Sequence, residues 1–216
     1  VSGFSNGVDI CICGHDIVRE NKTIERCPKY NAFWNEKQIK YRLFMDTNFM
    51  GTWDKMYRKE FLLKWNVYFK DGLCMSEDAL FEMHYALKCQ SAYYIQEPLY
   101  HYMINYNSVT SIASLEKTLV ERKKFWTYYQ MMGENLGECE VFTKNAYELR
   151  KFYEALGIYW VCNGTKEIVP ISVRDCLHKD AVKFLLSPHV KMRFKIKYLV
   201  SLSGKLEYVK KRISKL

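Results

Sequence analysis

Apolar and polar positions along the chain follow two regimes, and the change comes near residue 112. Before it, short β-branched and aromatic runs alternate with helical periods. Val8-Asp9-Ile10-Cys11-Ile12-Cys13-Gly14 is an apolar run closed by glycine and predicts a buried strand. Residues 16–34 are polar and irregular, with Pro28 as a breaker and room for a short strand or hairpin. Asn35 to Phe49 carries Ile39, Leu43 and Phe44 at helical spacing, and Lys59 to Trp65 predicts a second, shorter helix. Asn66-Val67-Tyr68-Phe69 reads as extended, and Asp71-Gly72 turns the chain. Ser76 then fits a helix N-cap, with Glu77 and Asp78 in the first turn, where carboxylates complement the dipole. Leu80, Met83, His84 and Leu87 keep the helical period to Lys88. Ala92-Tyr93-Tyr94-Ile95 predicts a strand that Pro98 closes.

From Ser114 onward the pattern is helical throughout. Ser114 caps a segment whose apolar face takes Leu115, Leu119, Trp126 and Tyr129. Glu138 to Cys162 continues with Phe142, Leu149, Phe152 and Leu156 and is expected to stop at Asn163-Gly164. Ser172 and Asp175 resemble a capping box that opens a helix to Leu186. Pro188 breaks it, and one or two basic helices follow around Ser203-Gly204. The expected organisation is an α/β part over residues 1–112 and an all-α part with a basic tail over 113–216.

Composition narrows this further. The hydrophobic fraction of 49% and the 17 tyrosines fit a packed globular chain with aromatic surfaces at its edges. Charge is uneven. Lys179 to Leu216 holds eleven Lys/Arg against Asp180 and Glu207, a local +9 that equals the whole chain's +9, so the preceding residues are neutral. A neutral body disfavours a general nucleic-acid binder, and the tail suits an anionic membrane surface. Its basic and apolar positions alternate through Val190–Val200 and Leu206–Leu216. The eight cysteines are scattered without a CxxC pair, which reads as reduced thiols filling a core and not as a zinc site. No apolar run reaches the length of a membrane span, and the first residues lack the pattern of a signal peptide.

Candidate chemistry clusters between Gly51 and Thr110. Four motifs follow the opening strand, Asp9-Ile-Cys-Ile-Cys-Gly14. They are Trp53-Asp-Lys55-Met-Tyr57, Phe69-Lys-Asp-Gly72, Glu77-Asp78-Ala-Leu-Phe81, and Pro98-Leu-Tyr100-His-Tyr102 with Ser108-Val-Thr110. In this order they resemble the second half of a bacterial family 2 glycosyltransferase of the GT-A fold, a Rossmann-like nucleotide-diphospho-sugar transferase. The resemblance covers roughly residues 8 to 112 and is carried by motif order and spacing.

That resemblance implies an inverting transfer from a nucleotide sugar to a cell-surface glycan acceptor, with Asp78 as general base. Such a base must be an ionised carboxylate within hydrogen-bond reach of the attacking hydroxyl. Glu77 would orient a loop or hold the acceptor, Trp53 and Tyr57 would line the acceptor pocket, and Lys55 would meet a phosphate. His101 would approach a metal or diphosphate. A divalent metal, Mg or Mn, is expected for the full-length enzyme, yet the family's D-x-D motif and opening nucleotide-binding strand are missing from these 216 residues. The chain is therefore expected to be a piece of a longer enzyme, inactive by itself. Its location would be cytoplasmic, at the inner face of the plasma membrane through residues 188–216. The rival expectation is a non-catalytic helical module that interacts with partners or forms a homo-oligomer.

Overall fold

A computed structural model of the chain describes residues 7–19, 22–46, 49–134, 136 and 141–202. It is mixed α/β, with a curled mixed sheet followed by a helical C-terminal region.

The sheet is built around β1 (Ile10–Arg19). One edge of β1 takes β5 (Ser91–Met103) in parallel. The other takes two strands in succession, both antiparallel: β4 (Lys55–Tyr57) beside Ile10–Ile12 and β2 (Lys22–Arg26) beside His15–Arg19. β3 (Ala32–Asn35) pairs antiparallel with β5 at the far edge. Asp9 pins the parallel pair at its entry, since its Oδ2 accepts the N–H groups of Gln90 at 2.8 Å and Ser91 at 3.1 Å.

Two expectations for the sheet are corrected. The opening strand does not end at Gly14, and Pro98 does not close the last one. Both facts come from one irregularity: the register jumps from Cys13↔Ile95 to Gly14↔Pro98, so two residues of β5 bulge out. A proline is tolerated at a bulge because the ladder there needs no donor. Gly14 is needed beside it, since a Cβ would lie 2.1 Å from Cys27 Sγ.

α1 (Glu36–Met45) begins with a full capping box, Asn35 Oδ1 accepting from Gln38 N–H at 3.1 Å and Gln38 Oε1 from Asn35 N–H at 3.0 Å. Its apolar stripe buries Ile39, Leu43 and Phe44, as their spacing predicts. After α2 (Lys59–Trp65) comes α3 (Glu77–Lys88), which packs against α1 and against α5 (Leu115–Glu134); the short α4 (Val109–Ile112) precedes α5. Covered on several sides, α3 buries Ala79, Leu80, Phe81, Glu82, Met83, Tyr85 and Ala86. Ser76 occupies its N-cap position, but in the left-handed region at φ 66° and without a side-chain cap bond, so the predicted serine cap is corrected. Ser114 does cap α5, accepting from Lys117 N–H at 3.2 Å.

By packing, the chain divides into two compact units, 1–147 and 148–216, and not near 112. The reason is α5: its Phe125, Tyr129 and Met132 belong to the same apolar core as Ile10, Ile12, Leu43 and Met83. The division falls inside α6 (Val141–Thr165). α6 does not stop at Asn163-Gly164, because Asn163 Nδ2 donates back to Tyr159 O at 2.8 Å and keeps the turn helical. Lys166, at φ 59°, ends it, and Glu167 N–H returns to Cys162 O at 2.9 Å.

In the second unit, α7 (Ile171–Lys179) and α8 (Ala181–Leu186) are separate helices broken at Asp180. α7 starts after Pro170 without the Ser172–Asp175 box. α9 (Met192–Leu202) represents the basic tail; the part expected around Ser203-Gly204 and beyond lies outside the described residues. The core here is aromatic: Phe152 stacks on Phe184 at 4.0 Å, and Tyr198 meets Phe152 edge-on and donates to Leu177 O at 2.9 Å. None of the seven described cysteines of the chain is in a disulfide. Among the described residues, no helix is long and apolar enough to cross a membrane.

Candidate functional site

The site grows from two periodicities that face each other. On β4, Lys55 and Tyr57 are two residues apart and share one side of the strand. On α3, Asp78, Phe81, Glu82 and Tyr85 follow helical i, i+3, i+4, i+7 spacing and share one face. Tyr57 packs edge-on against Phe81 at 5.3 Å and Tyr85 at 5.0 Å, so strand and helix bring their polar groups together.

A chain of buried charge results. Lys55 has no exposed side-chain surface, and its Nζ bonds Asp54 Oδ1 at 2.6 Å, lies 3.9 Å from Glu82 Oε1, and donates to the Gly51 carbonyl. The Tyr57 hydroxyl donates to Glu82 Oε1. Asp54 Oδ2 lies 3.3 Å from His15 Nδ1, close enough for attraction but not aligned as a hydrogen bond, while the Asp54 carbonyl takes Cys13 N–H at 2.9 Å. Glu82 Oε2 is buried without a hydrogen-bond partner.

Burial governs the protonation of this chain. Glu82 is pushed up to about 7, mainly because its charge is desolvated, with the Lys55 ammonium pulling the other way. Burial also drives the Tyr57 hydroxyl far above the usual tyrosine range, and the Glu82 carboxylate adds to this. His15 is held below the ordinary histidine value by burial, against the pull of Asp54.

Asp78 sits at the edge of this chain. It is half-buried and accepts from the Thr52 hydroxyl at 3.3 Å. Beside Thr52, Trp53 is half-exposed, stacks on Tyr100 at 4.7 Å, leans on Tyr102 at 5.1 Å, and meets His15 edge-on at 4.6 Å. Tyr100 and Tyr102 keep 36% and 40% of their surface, so the three rings form an open aromatic platform. Gly51 makes room for it: a Cβ there would lie 2.3 Å from Trp53 Nε1.

Of the residues expected from sequence, Trp53, Lys55, Tyr57 and Asp78 come together. Glu77, one step along α3, sits about 100° away around the helix. His101 alternates with Tyr100 and Tyr102 and so faces the opposite side of the sheet, where its Nδ1 lies 3.1 Å from Asp16 Oδ2. Lys55 faces protein carboxylates instead of solvent.

Sequence reasoning missed His15, Asp54, Glu82 and Glu121. Glu82 had a signal in its i+4 spacing from Asp78. Glu121 had none: it lies on α5, where its Oε2 accepts Cys74 N–H at 2.8 Å and its Oε1 pairs with Lys124 at 2.7 Å. Lys124 also donates to Gly72 O at 3.0 Å, so α5 ties down the loop that leads into Asp78.

Among the described residues no three His, Cys, Asp or Glu side chains converge as a metal centre. Asp54, the most enclosed carboxylate after Glu82, is already committed to Lys55 and His15.

No protein-family model matches the chain, and no curated protein matches it.

Proposed function

We propose that this chain supplies the acceptor side and the general base of an inverting sugar transfer, as a partial Rossmann-like GT-A domain. In this reading the donor's nucleoside diphosphate and its metal are held by residues outside these 216. The observation that carries it is that a half-buried carboxylate, Asp78, is hydrogen-bonded by Thr52, whose chain neighbour Trp53 forms an open platform with Tyr100 and Tyr102. Sugar rings stack their apolar faces on aromatic side chains, and an acceptor so held presents a hydroxyl to a nearby base. The Lys55–Glu82–Tyr57 chain behind Asp78 fixes β4 against α3, so the base stays in place with no solvent to rearrange.

Two measurements test it. Saturation-transfer NMR on the chain with a panel of neutral saccharides should give binding that Trp53→Ala removes; binding that persists in the variant sinks the platform. In a protein that joins this chain to a donor-binding half, Asp78→Asn should lower kcat by about a hundredfold or more and leave the acceptor Kd within about twofold. Equal loss of binding and turnover would make Asp78 a structural residue.

A second reading concerns α9 and has its own support. Met192, Ile196 and Leu199 are exposed along one stripe, flanked by Arg193 on one side and Lys195 on the other, while Tyr198 and Ser201 face inward. Such a helix fits an anionic membrane interface and would bring the enzyme to a lipid-linked acceptor. Binding to anionic vesicles that weakens with salt and with Ile196→Glu supports it; indifference to both removes it.

A further inference from the structure

A cavity is lined in part by His15, whose ring also meets Trp53. The cavity has a volume of about 590 Å³ and is walled by the β2–β3 loop, β3 and α1. Its floor is aromatic: Trp34, Phe49 and Tyr94 meet edge-on with ring centres 5.1–5.6 Å apart. The loop can close on β1 because Gly14 has no side chain to meet Cys27.

Its rim is cationic. Arg26, the last residue of β2, and Lys29 in the loop that follows are exposed, and Arg42 lies over the rings of Trp34 at 5.4 Å and Phe49 at 5.7 Å. Asp46 is the one carboxylate among the described lining residues and sits 3.6 Å from Arg42. Three fixed cations against one carboxylate leave a net +2, since burial keeps His15 neutral at neutral pH. Neutral sugars have no use for that charge. A phosphate monoester carries a charge of about −2 above its second pKa of about 6, and arginine forks match its oxygens. A hydrophobic floor of this kind takes the ring or apolar body attached to such a group.

We propose that this cavity binds a small phosphate monoester with a planar or apolar body, the phosphate held at the Arg26–Lys29–Arg42 rim and the body against Trp34, Phe49 and Tyr94. The assignment rests on the cavity alone and stands whether or not the neighbouring platform binds sugars. His15 borders both, so occupancy of the cavity is positioned to influence the Asp54–Lys55 pair.

The test is isothermal titration of the full chain with phenyl phosphate, inorganic phosphate and benzyl alcohol. Phenyl phosphate should bind with one site per chain, and more tightly than either the bare anion or the uncharged ring. The double variant Arg26→Gln/Lys29→Gln, both at exposed positions, should weaken it by about tenfold or more, while Lys117→Gln/Lys144→Gln on other helices should leave it within about twofold. Absence of saturable binding overturns the proposal. So does equal weakening by the two double variants, which would mean diffuse charge, and so does inorganic phosphate binding as tightly as the ester.

Discussion

The interiors of the two compact units are made of different things. In the first, a lysine, two carboxylates, a histidine and a tyrosine hydroxyl are sealed between β4, β1 and α3. In the second, the centre is Phe152, Phe184 and Tyr198 with Leu156, Val173 and Leu177, and among the described residues the charges stay outside apart from the Arg150–Glu154 pair. Apolar packing stabilises by area and is indifferent to pH, whereas desolvated charges are held only by one another. A fold that keeps such a chain accepts a liability, and the liability lies directly beneath the residues proposed to act on substrate.

The largest test of that contrast removes one member from each interior. Lys55→Met leaves Asp54 and Glu82 without their cation and should cost about 3–5 kcal/mol at pH 8. The cost should shrink toward pH 5, as Glu82 takes up a proton. Phe152→Ala should cost a similar 3–5 kcal/mol through cavity formation, and equally at both pH values. Thermal denaturation of both variants at the two pH values decides it. A Lys55→Met penalty that does not change with pH would mean that Glu82 is not desolvated.

Glu82→Gln isolates the carboxylate. Its folded value of about 7 lies above the ordinary 4.5, so the folded state binds the proton more tightly than the unfolded one. Stability from this group is fully present below pH 4.5 and is lost as pH rises to about 7, a span worth roughly 3 kcal/mol. The glutamine cannot ionise, so the wild-type decline over that window should flatten in the variant. A parallel decline in both would assign the pH dependence elsewhere.

The same contrast explains how much could be read from the chain. The apolar stripes of α1 and the start of β1 were legible because burial there follows a simple period, and Trp53, Lys55, Tyr57 and Asp78 were legible as a group. The burial of Glu82 was hidden, despite its i+4 spacing from Asp78, because α3 is covered on several sides and the Leu80, Met83, His84, Leu87 stripe captures only part of its buried surface. The second half of β1 was hidden because Gly14-His15-Asp16 interrupts the apolar run, and Ile17 and Val18 beyond it are held by pairing with β2 and β5, which no local pattern announces. The bulge that admits Pro98 depends on Gly14 in another strand, and local propensity carries no information of that kind. The boundary near 112 marks where composition changes, whereas packing is divided by which core Phe125 and Tyr129 join.

The smallest effect is the most specific to function. Glu121 touches neither the platform nor the proposed base; it acts through the 72–74 loop, and its carboxyl is held below the usual glutamate range chiefly by Lys124. Glu121→Ala removes the acceptor of Cys74 N–H and should cost only about 1 kcal/mol. Its effect should instead be local, with faster hydrogen exchange of the amides from Leu73 to Ala79 and unchanged exchange in β1 and β5. If the loop positions Asp78, an enzyme carrying this variant should lose kcat while its acceptor Kd holds, and Glu121→Gln, which can still accept from Cys74, should recover most of the loss. Uniformly faster exchange across the unit would make Glu121 a general support of the core and leave Asp78 positioned by α3 alone.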